Sequence, residues 1–145
     1  MNIYTMGFTQ KSAEEFFKRI TDNQIEILID IRLNNQSQLA GFSKGKDLQY
    51  FLRAISNCGY SHEVKFAPTK ELLNDYKKGL KSWEEYVVIY NQLIEQRKMV
   101  EYFENKYQKY QNVLLLCSEA TPGQCHRRLL AEAIQKRLSY GIKHL

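Results

Sequence analysis

The sequence predicts an α/β protein: a single domain over residues 1-145, built as a three-layer, Rossmann-like open parallel sheet of about five strands with helices on both faces. Three observations lead there. "IEILIDIR" and "NVLLLCS" are nearly continuous aliphatic runs, the pattern of strands covered on both faces, unlike the alternation of a sheet with one face in water. The stretches between strand-like runs carry apolar residues at helical spacing. Strand and helix then alternate along the chain, which implies parallel strands joined by right-handed crossovers.

The elements follow in order. "NIYTM" opens as a short strand, and "TQKSAEEFFKRI" places Ser12 and Glu15 at capping-box spacing ahead of Phe16, Phe17 and Ile20, a helix start. "IEILIDIR" is the second strand, and a polar loop, "LNNQSQLAGFSKGK", leaves it. "DLQYFLRAISNCG" sets Leu48, Phe51, Leu52 and Ile55 on one helical face and offers Gly59 as a left-handed cap. "YSHEVKF" reads as the third strand. From Ala67 to Tyr110 the chain is too long for a minimal crossover; it holds two helices, capped by Thr69 and by Ser82 with Glu85, and this helical insertion (66-110) leaves the carboxyl edge of the sheet, where a lid or pocket wall would sit. "NVLLLCS" is the fourth strand, "TPGQCHRRLLAEAIQKRLSYG" a helix ending at Gly141, and "IKHL" a last short strand.

The composition excludes several classes. At 145 residues the chain can bury a core without disulfide or metal staples. No window approaches the roughly 18 to 20 consecutive apolar residues of a membrane span, and "MNIYTMGFTQ" has no basic stretch followed by an apolar one, so a cytoplasmic protein is expected. Cys58, Cys117 and Cys125 have no framework spacing, which fits free thiols in a reducing compartment. The formal charge of +5 favours anionic partners weakly, because the basic residues are interleaved with Glu. Neither a P-loop nor a dinucleotide fingerprint is present, and the tyrosines and phenylalanines of the insertion, such as Tyr86, Tyr90 and Phe103, read as core.

Ligands of open parallel sheets sit at the carboxyl ends of the strands. That rule gathers Gly7, Phe8 and Thr9, then Asp30 and Arg32, then Cys117 to Arg127 into one neighbourhood. Thr121, Pro122 and Gln124 read as the cap, first turn and capping-box partner of the last helix, which places Cys125 in its opening turns. His126 shares a face with Leu130, Ala133 and Ile134, so its ring points at the sheet; Arg127 flanks that stripe while Arg128 points away. A helix N-terminus beside His126 and Arg127 favours an anion or a thiolate. Cys117, Glu119, Cys125, His126 and Asp30 are the candidate catalytic residues, with Gly7, Thr9, Arg32, Arg127 and His62 as candidate substrate contacts. The competing account is architectural: Cys117 ending a strand, Cys125 a surface thiol, Asp30 and Arg32 a structural ion pair, His62 a satisfied structural histidine and His144 incidental.

Together these residues resemble a bacterial and archaeal family, domain-of-unknown-function family 488. "YTMGFT" is similar to its opening G-[HF]-[ST] turn, "LIDIR" to its D-[VI]-R strand and "CSEATPGQCHRR" to its C-x-E-x5-C-H-R segment, the most specific of the three. "APTKELLNDYKKG" followed by "SWEEY" resembles a subgroup with a helical insertion. Phe8 stands where many members have histidine. The resemblance implies an α/β domain with a shared polar cluster and names no reaction or cofactor.

Three readings stand. The favoured one is an enzyme for a phosphate- or carboxylate-bearing substrate, possibly nucleic-acid-derived, with Cys117 or Cys125 as nucleophile, His126 as base or orienter, Glu119 or Asp30 as acid–base and Arg32 and Arg127 on the anion. The alternatives are a non-catalytic nucleic-acid or polyanion binding module, and a metal site of Cys117, Cys125 and His126. Metal is disfavoured because adjacent residues on one helix point roughly 100° apart. A sulfur-transferase or thiol-phosphatase loop is disfavoured because the path from Cys117 to Arg127 is too long to wrap an anion.

Overall fold

The aliphatic runs pair edge to edge as parallel strands. In the computed structural model, which describes residues 1–36, 40–119 and 122–145, β1 (Asn2–Gly7), β2 (Ile27–Asp30), β3 (Gly59–His62), β4 (Asn112–Cys117) and β5 (Gly141–His144) form one sheet in the order β3-β2-β4-β1-β5. Every neighbouring pair is parallel. β4 therefore runs between β2 and β1, with Cys117 beside Gly7 and Leu116 beside Asp30.

Successive residues of a strand point to opposite faces, so each aliphatic run supplies two cores. Met6, Leu28, Leu114 and Leu116 pack with Phe16, Phe17 and Ile20 of α1 (Ala13–Asp22) and with Leu48 and Leu52 of α2 (Gly45–Ser56). Ile3, Ile27, Ile29, Val113 and Leu115 pack on the other face against α3 (Lys70–Lys77), α4 (Trp83–Gln96), α5 (Met99–Tyr107) and α6 (His126–Leu138). The expected open parallel α/β sheet with helices on both faces is what forms. No helix among the described residues is long and apolar enough to cross a membrane.

Local signals hold at some helix starts. Ser12, Thr69 and Ser82 cap α1, α3 and α4 with their side-chain oxygens, and at Ser82 the Glu85 carboxylate reciprocates. Glu15 instead pairs with Arg19, so the first capping box is only half made. Helix ends depart from the sequence reading. Asn57, at φ 48°, is the left-handed cap of α2, and Ser139, at φ 58°, that of α6, leaving Gly59 and Gly141 to begin strands. The insertion holds three helices, not two, because Lys98 turns left-handed at φ 50° between α4 and α5.

The largest correction concerns α6. The cap expected at Thr121 lies outside the described residues, but Pro122 and Gln124 are not helical and the helix begins only at His126, with Cys125 extended at φ −138° and ψ 139° as its cap. Cys125 is buried, not a surface thiol.

Gly7 is required by close approach. A Cβ there would overlap the Glu119 carbonyl carbon and oxygen, because the segment leaving β4 folds back over the end of β1. Relieving that overlap means moving backbone, so Gly7→Ala should lower stability by on the order of 2 kcal/mol in urea unfolding. An unchanged midpoint would show that the β4–α6 segment gives way freely.

Candidate functional site

The carboxyl ends of β1, β2 and β4, the β4–α6 segment and the helical insertion enclose a cleft of about 440 Å³. Thr9, Arg32, Cys117, Glu119, Cys125 and His126 line it from the sheet side. The insertion supplies the opposite wall through Pro68, Leu73, Tyr76, Lys77 and Tyr86, and the Tyr76 hydroxyl donates to Gln124 Oε1 at 3.0 Å, joining the two sides. The insertion is thus a pocket wall.

β4 delivers Cys117 at its last residue, and the extended backbone of Cys125 turns its thiol back toward it. The two sulfurs lie 2.7 Å apart, both buried and both free. His126 Nδ1 is 3.7 Å from Cys117 Sγ, and its Nε2 is 2.9 Å from the Ile31 carbonyl. A carbonyl only accepts, so Nε2 carries a proton and the ring presents Nδ1 to the sulfur. Tyr90 packs edge-on against the ring at 5.4 Å and holds its orientation.

Cys117 is pushed well below the usual thiol range, first by the hydrogen bond from Cys125, against the opposing effect of burial, and then by His126 and a hydrogen bond from the Glu119 backbone. Cys125 is pushed up by burial and by its bond to Cys117, with Arg127 opposing. Burial is the largest influence on His126 and resists its charged form, but the charge and hydrogen bond of Cys117 and the bond to the Ile31 carbonyl together raise the imidazole pKa. The two thiol shifts run in opposite directions, so Cys117 is the sulfur favoured as thiolate and Cys125 the one favoured as thiol. Cys58 lies apart, beneath α2, where burial lifts it to about 12.

Arg127 stands behind the sulfurs and does not line the cleft. It is fully buried, and its partners among the described residues are Thr5 Oγ1 at 3.4 Å, the Glu119 carbonyl and Cys125 Sγ at 3.8 Å. None of these partners is a carboxylate. Arg128 is directed outward and pairs with Glu132.

Asp30 and Arg32 form a buried bidentate pair, Nε to Oδ1 at 2.8 Å and Nη2 to Oδ2 at 2.7 Å. The Tyr60 hydroxyl donates to Asp30 Oδ2 at 2.7 Å, so this carboxylate is committed to positioning Arg32 and does not line the cleft. Arg32 lies 5.1 Å over the ring of Phe8, and its Nη1 has no hydrogen-bond partner among the described residues. His62 Nε2 meets the Arg32 carbonyl at 2.7 Å, holding the β2 end rather than facing the cleft. Thr9 Oγ1 donates to the Ser118 carbonyl at 2.7 Å. Glu119 is exposed at the rim. Sequence reasoning missed Tyr76, Lys77 and Gln124, because only the fold brings the insertion over the strand ends; it assigned Tyr86 to the core alone and His144 to nothing. His144 in fact contacts Thr5 Oγ1 beside Arg127, and burial together with that charge lowers its pKa.

The ligand atoms of Cys117, Cys125 and His126 all lie within 4.8 Å of one another, so the three could converge on a soft metal ion. The objection from helix geometry falls, since Cys125 is not helical. Two thiolates on one tetrahedral zinc nevertheless stand roughly 3.7 Å apart, given Zn–S of about 2.3 Å. At 2.7 Å the sulfurs lie closer to a disulfide bond of about 2.05 Å than to that spacing.

Fold and site together define a three-layer parallel α/β protein with a paired-cysteine and histidine cleft at the strand ends. The chain belongs to the family described as Domain of unknown function DUF488, which it matches over residues 12–134. No curated protein and no solved structure matches it.

Two measurements follow from this geometry. Asp30→Ala strands the Arg32 guanidinium in a buried site and should cost about 3–5 kcal/mol in chemical unfolding, whereas a loss under about 1 kcal/mol would mean that water reaches Arg32. Alkylation rate follows the thiolate fraction, flat above the thiol's pKa and falling tenfold per pH unit below it. Because Cys117 is depressed, its iodoacetamide reaction should persist at pH values well below the ordinary thiol range of about 8.5. Cys125→Ala removes the first cause and should move that profile to higher pH; a profile unmoved by the substitution would assign the shift to His126.

Proposed function

We propose that this protein is an enzyme acting on an anionic small molecule, with Cys117 as its nucleophile. The observation that carries the reading is the setting of the Cys117 sulfur in the cleft wall, between Cys125 Sγ at 2.7 Å and His126 Nδ1 at 3.7 Å, with the Arg127 charge behind. A thiolate is the reactive form of cysteine, and a neighbouring imidazolium and guanidinium are the groups that sustain one. His126, oriented by the Ile31 carbonyl, holds the proton that a leaving group will need.

The anion preference rests on the cations around the cleft. Lys77 lines it from the insertion, and Arg32, just past the end of β2 and paired with Asp30, still offers an Nη1 that has no protein acceptor among the described residues. Among the described residues no uncompensated carboxylate is buried there: Asp30 is paired and Glu119 is exposed. A cleft of about 440 Å³ falls in the range of small-molecule sites.

Iodoacetate and iodoacetamide differ by a charge and test both halves. Their relative rates at Cys117, read by peptide mass spectrometry against glutathione as a free thiol, should favour the anion several-fold, and Lys77→Ala should reduce that preference. A ratio equal to that of glutathione would remove the anionic substrate. Cys117 reacting no faster than Cys58 would remove the thiol nucleophile, and protection of Cys117 that a chelator lifts would assign the three side chains to a metal instead.

A further inference from the structure

We infer that the substrate is a disulfide, that Cys125 is the resolving thiol, and that the protein is a thiol–disulfide oxidoreductase for low-molecular-weight anionic disulfides. The inference rests on the Cys117 nucleophile proposed above and adds the chemical class of its electrophile.

The second cysteine carries it. Acyl or phosphoryl transfer to a cysteine uses one sulfur, an oriented base and donors for the developing oxyanion. A second thiol against the nucleophile is a hazard to such a reaction, because it captures any oxidised sulfur. Here the second sulfur is held at 2.7 Å by an extended cap residue at the start of α6, in the wall of the same cleft. Its backbone places it opposite the end of β4, where a small approach closes a bond. Cys58, by contrast, is buried elsewhere and takes no part.

The steps balance. The Cys117 thiolate attacks one sulfur of R–S–S–R, the substrate bond breaks, a Cys117–S–S–R bond forms, and the first RS⁻ leaves with the electron pair and takes the proton held at His126 Nδ1. Cys117 is now neutral. The two influences that Cys117 exerts to keep Cys125 protonated, the hydrogen bond between them and the thiolate charge, are gone, while Arg127 Nη1 remains 3.8 Å from Cys125 Sγ. Cys125 then attacks Cys117 Sγ, and the second RS⁻ departs with the Cys125 proton. Two electrons and two protons pass to the substrate, giving two RSH, and the pair becomes a disulfide. Two molecules of a low-molecular-weight thiol reductant reverse the change on the protein and return the dithiol.

The insertion sets the size of the substrate. Tyr76, joined to Gln124, and Tyr86 narrow the approach to the sulfurs, which admits a small molecule to Cys117 and keeps a folded protein's disulfide away.

The test uses the full chain, glutathione disulfide and the anionic aromatic disulfide 5,5′-dithiobis(2-nitrobenzoate). With the aromatic probe, the wild type should release two equivalents of thiolate in quick succession and end lighter by the mass of two hydrogens, with Cys117 joined to Cys125 in the peptide map. Cys125→Ser and Cys125→Ala should each stop after one equivalent, with a stable adduct on Cys117. Glutathione disulfide should give the same end states more slowly, and reduced glutathione should restore the wild type. A lasting adduct on wild-type Cys117, or a second equivalent undiminished by loss of Cys125, overturns the resolving role and leaves the nucleophile standing. Absence of any adduct on Cys117, in a protein whose circular dichroism is native, overturns both.

Discussion

The site depends on a buried positive charge without a carboxylate. Arg127 is fully enclosed where α6 begins, and a guanidinium withdrawn from water must meet acceptors and an anion or remain costly. Thr5 of β1 and the Glu119 carbonyl supply acceptors, and Cys125 Sγ lies 3.8 Å from Nη1. One side chain thereby ties the first strand, the β4–α6 segment and the thiols into a unit. The close approach at Gly7 is the same constraint seen from the backbone, since the Glu119 carbonyl reaches Arg127 only by lying across the end of β1. The Cys125 sulfur is thus held between Cys117 and Arg127.

The Asp30–Arg32 pair plays a different part. It is closed on itself and on Tyr60, so what it offers the cleft is the donor at Arg32 Nη1, and it also fixes where β2 ends. That end matters because Ile31 offers its carbonyl to His126 and Arg32 offers its own to His62. The orientation of the imidazole facing Cys117 is in this way inherited from an ion pair on the neighbouring strand.

Much of this was legible in the residues. Continuous aliphatic runs mark the buried strands, and the strand-end rule collects Asp30, Arg32, Cys117, Cys125 and His126 from the sequence alone. The rest was hidden for identifiable reasons. Lys98 and Ser139 adopt left-handed backbone that their side chains do not advertise, and Asn57, a residue that does favour it, lies two residues before the glycine expected to cap α2, so helix ends slipped and one insertion helix became two. The helix start expected at Pro122 gave way to tertiary demand: starting α6 at His126 leaves Cys125 extended and lets its sulfur meet Cys117. Tyr76, Lys77 and Gln124 carry no local sign of function, because their role depends on a wall folded over a sheet edge 40 or more residues away in the chain.

The position of β4 also governs how such a chain can come together. The pairings of β1 with β4 join residues 110 apart, Asn2 with Asn112 through to Gly7 with Cys117, and β1 never touches β2. Of the first three strands only β2 and β3 are neighbours, so β1 has no partner in the sheet until β4 arrives. Contacts of such sequence separation are slow to close, since the loop entropy precedes any reward. During synthesis the N-terminal strand must therefore wait, with Ile3 and Met6 unburied, until nearly the whole domain has emerged. Cys117, the last residue of β4, is set beside Gly7 only in that same pairing.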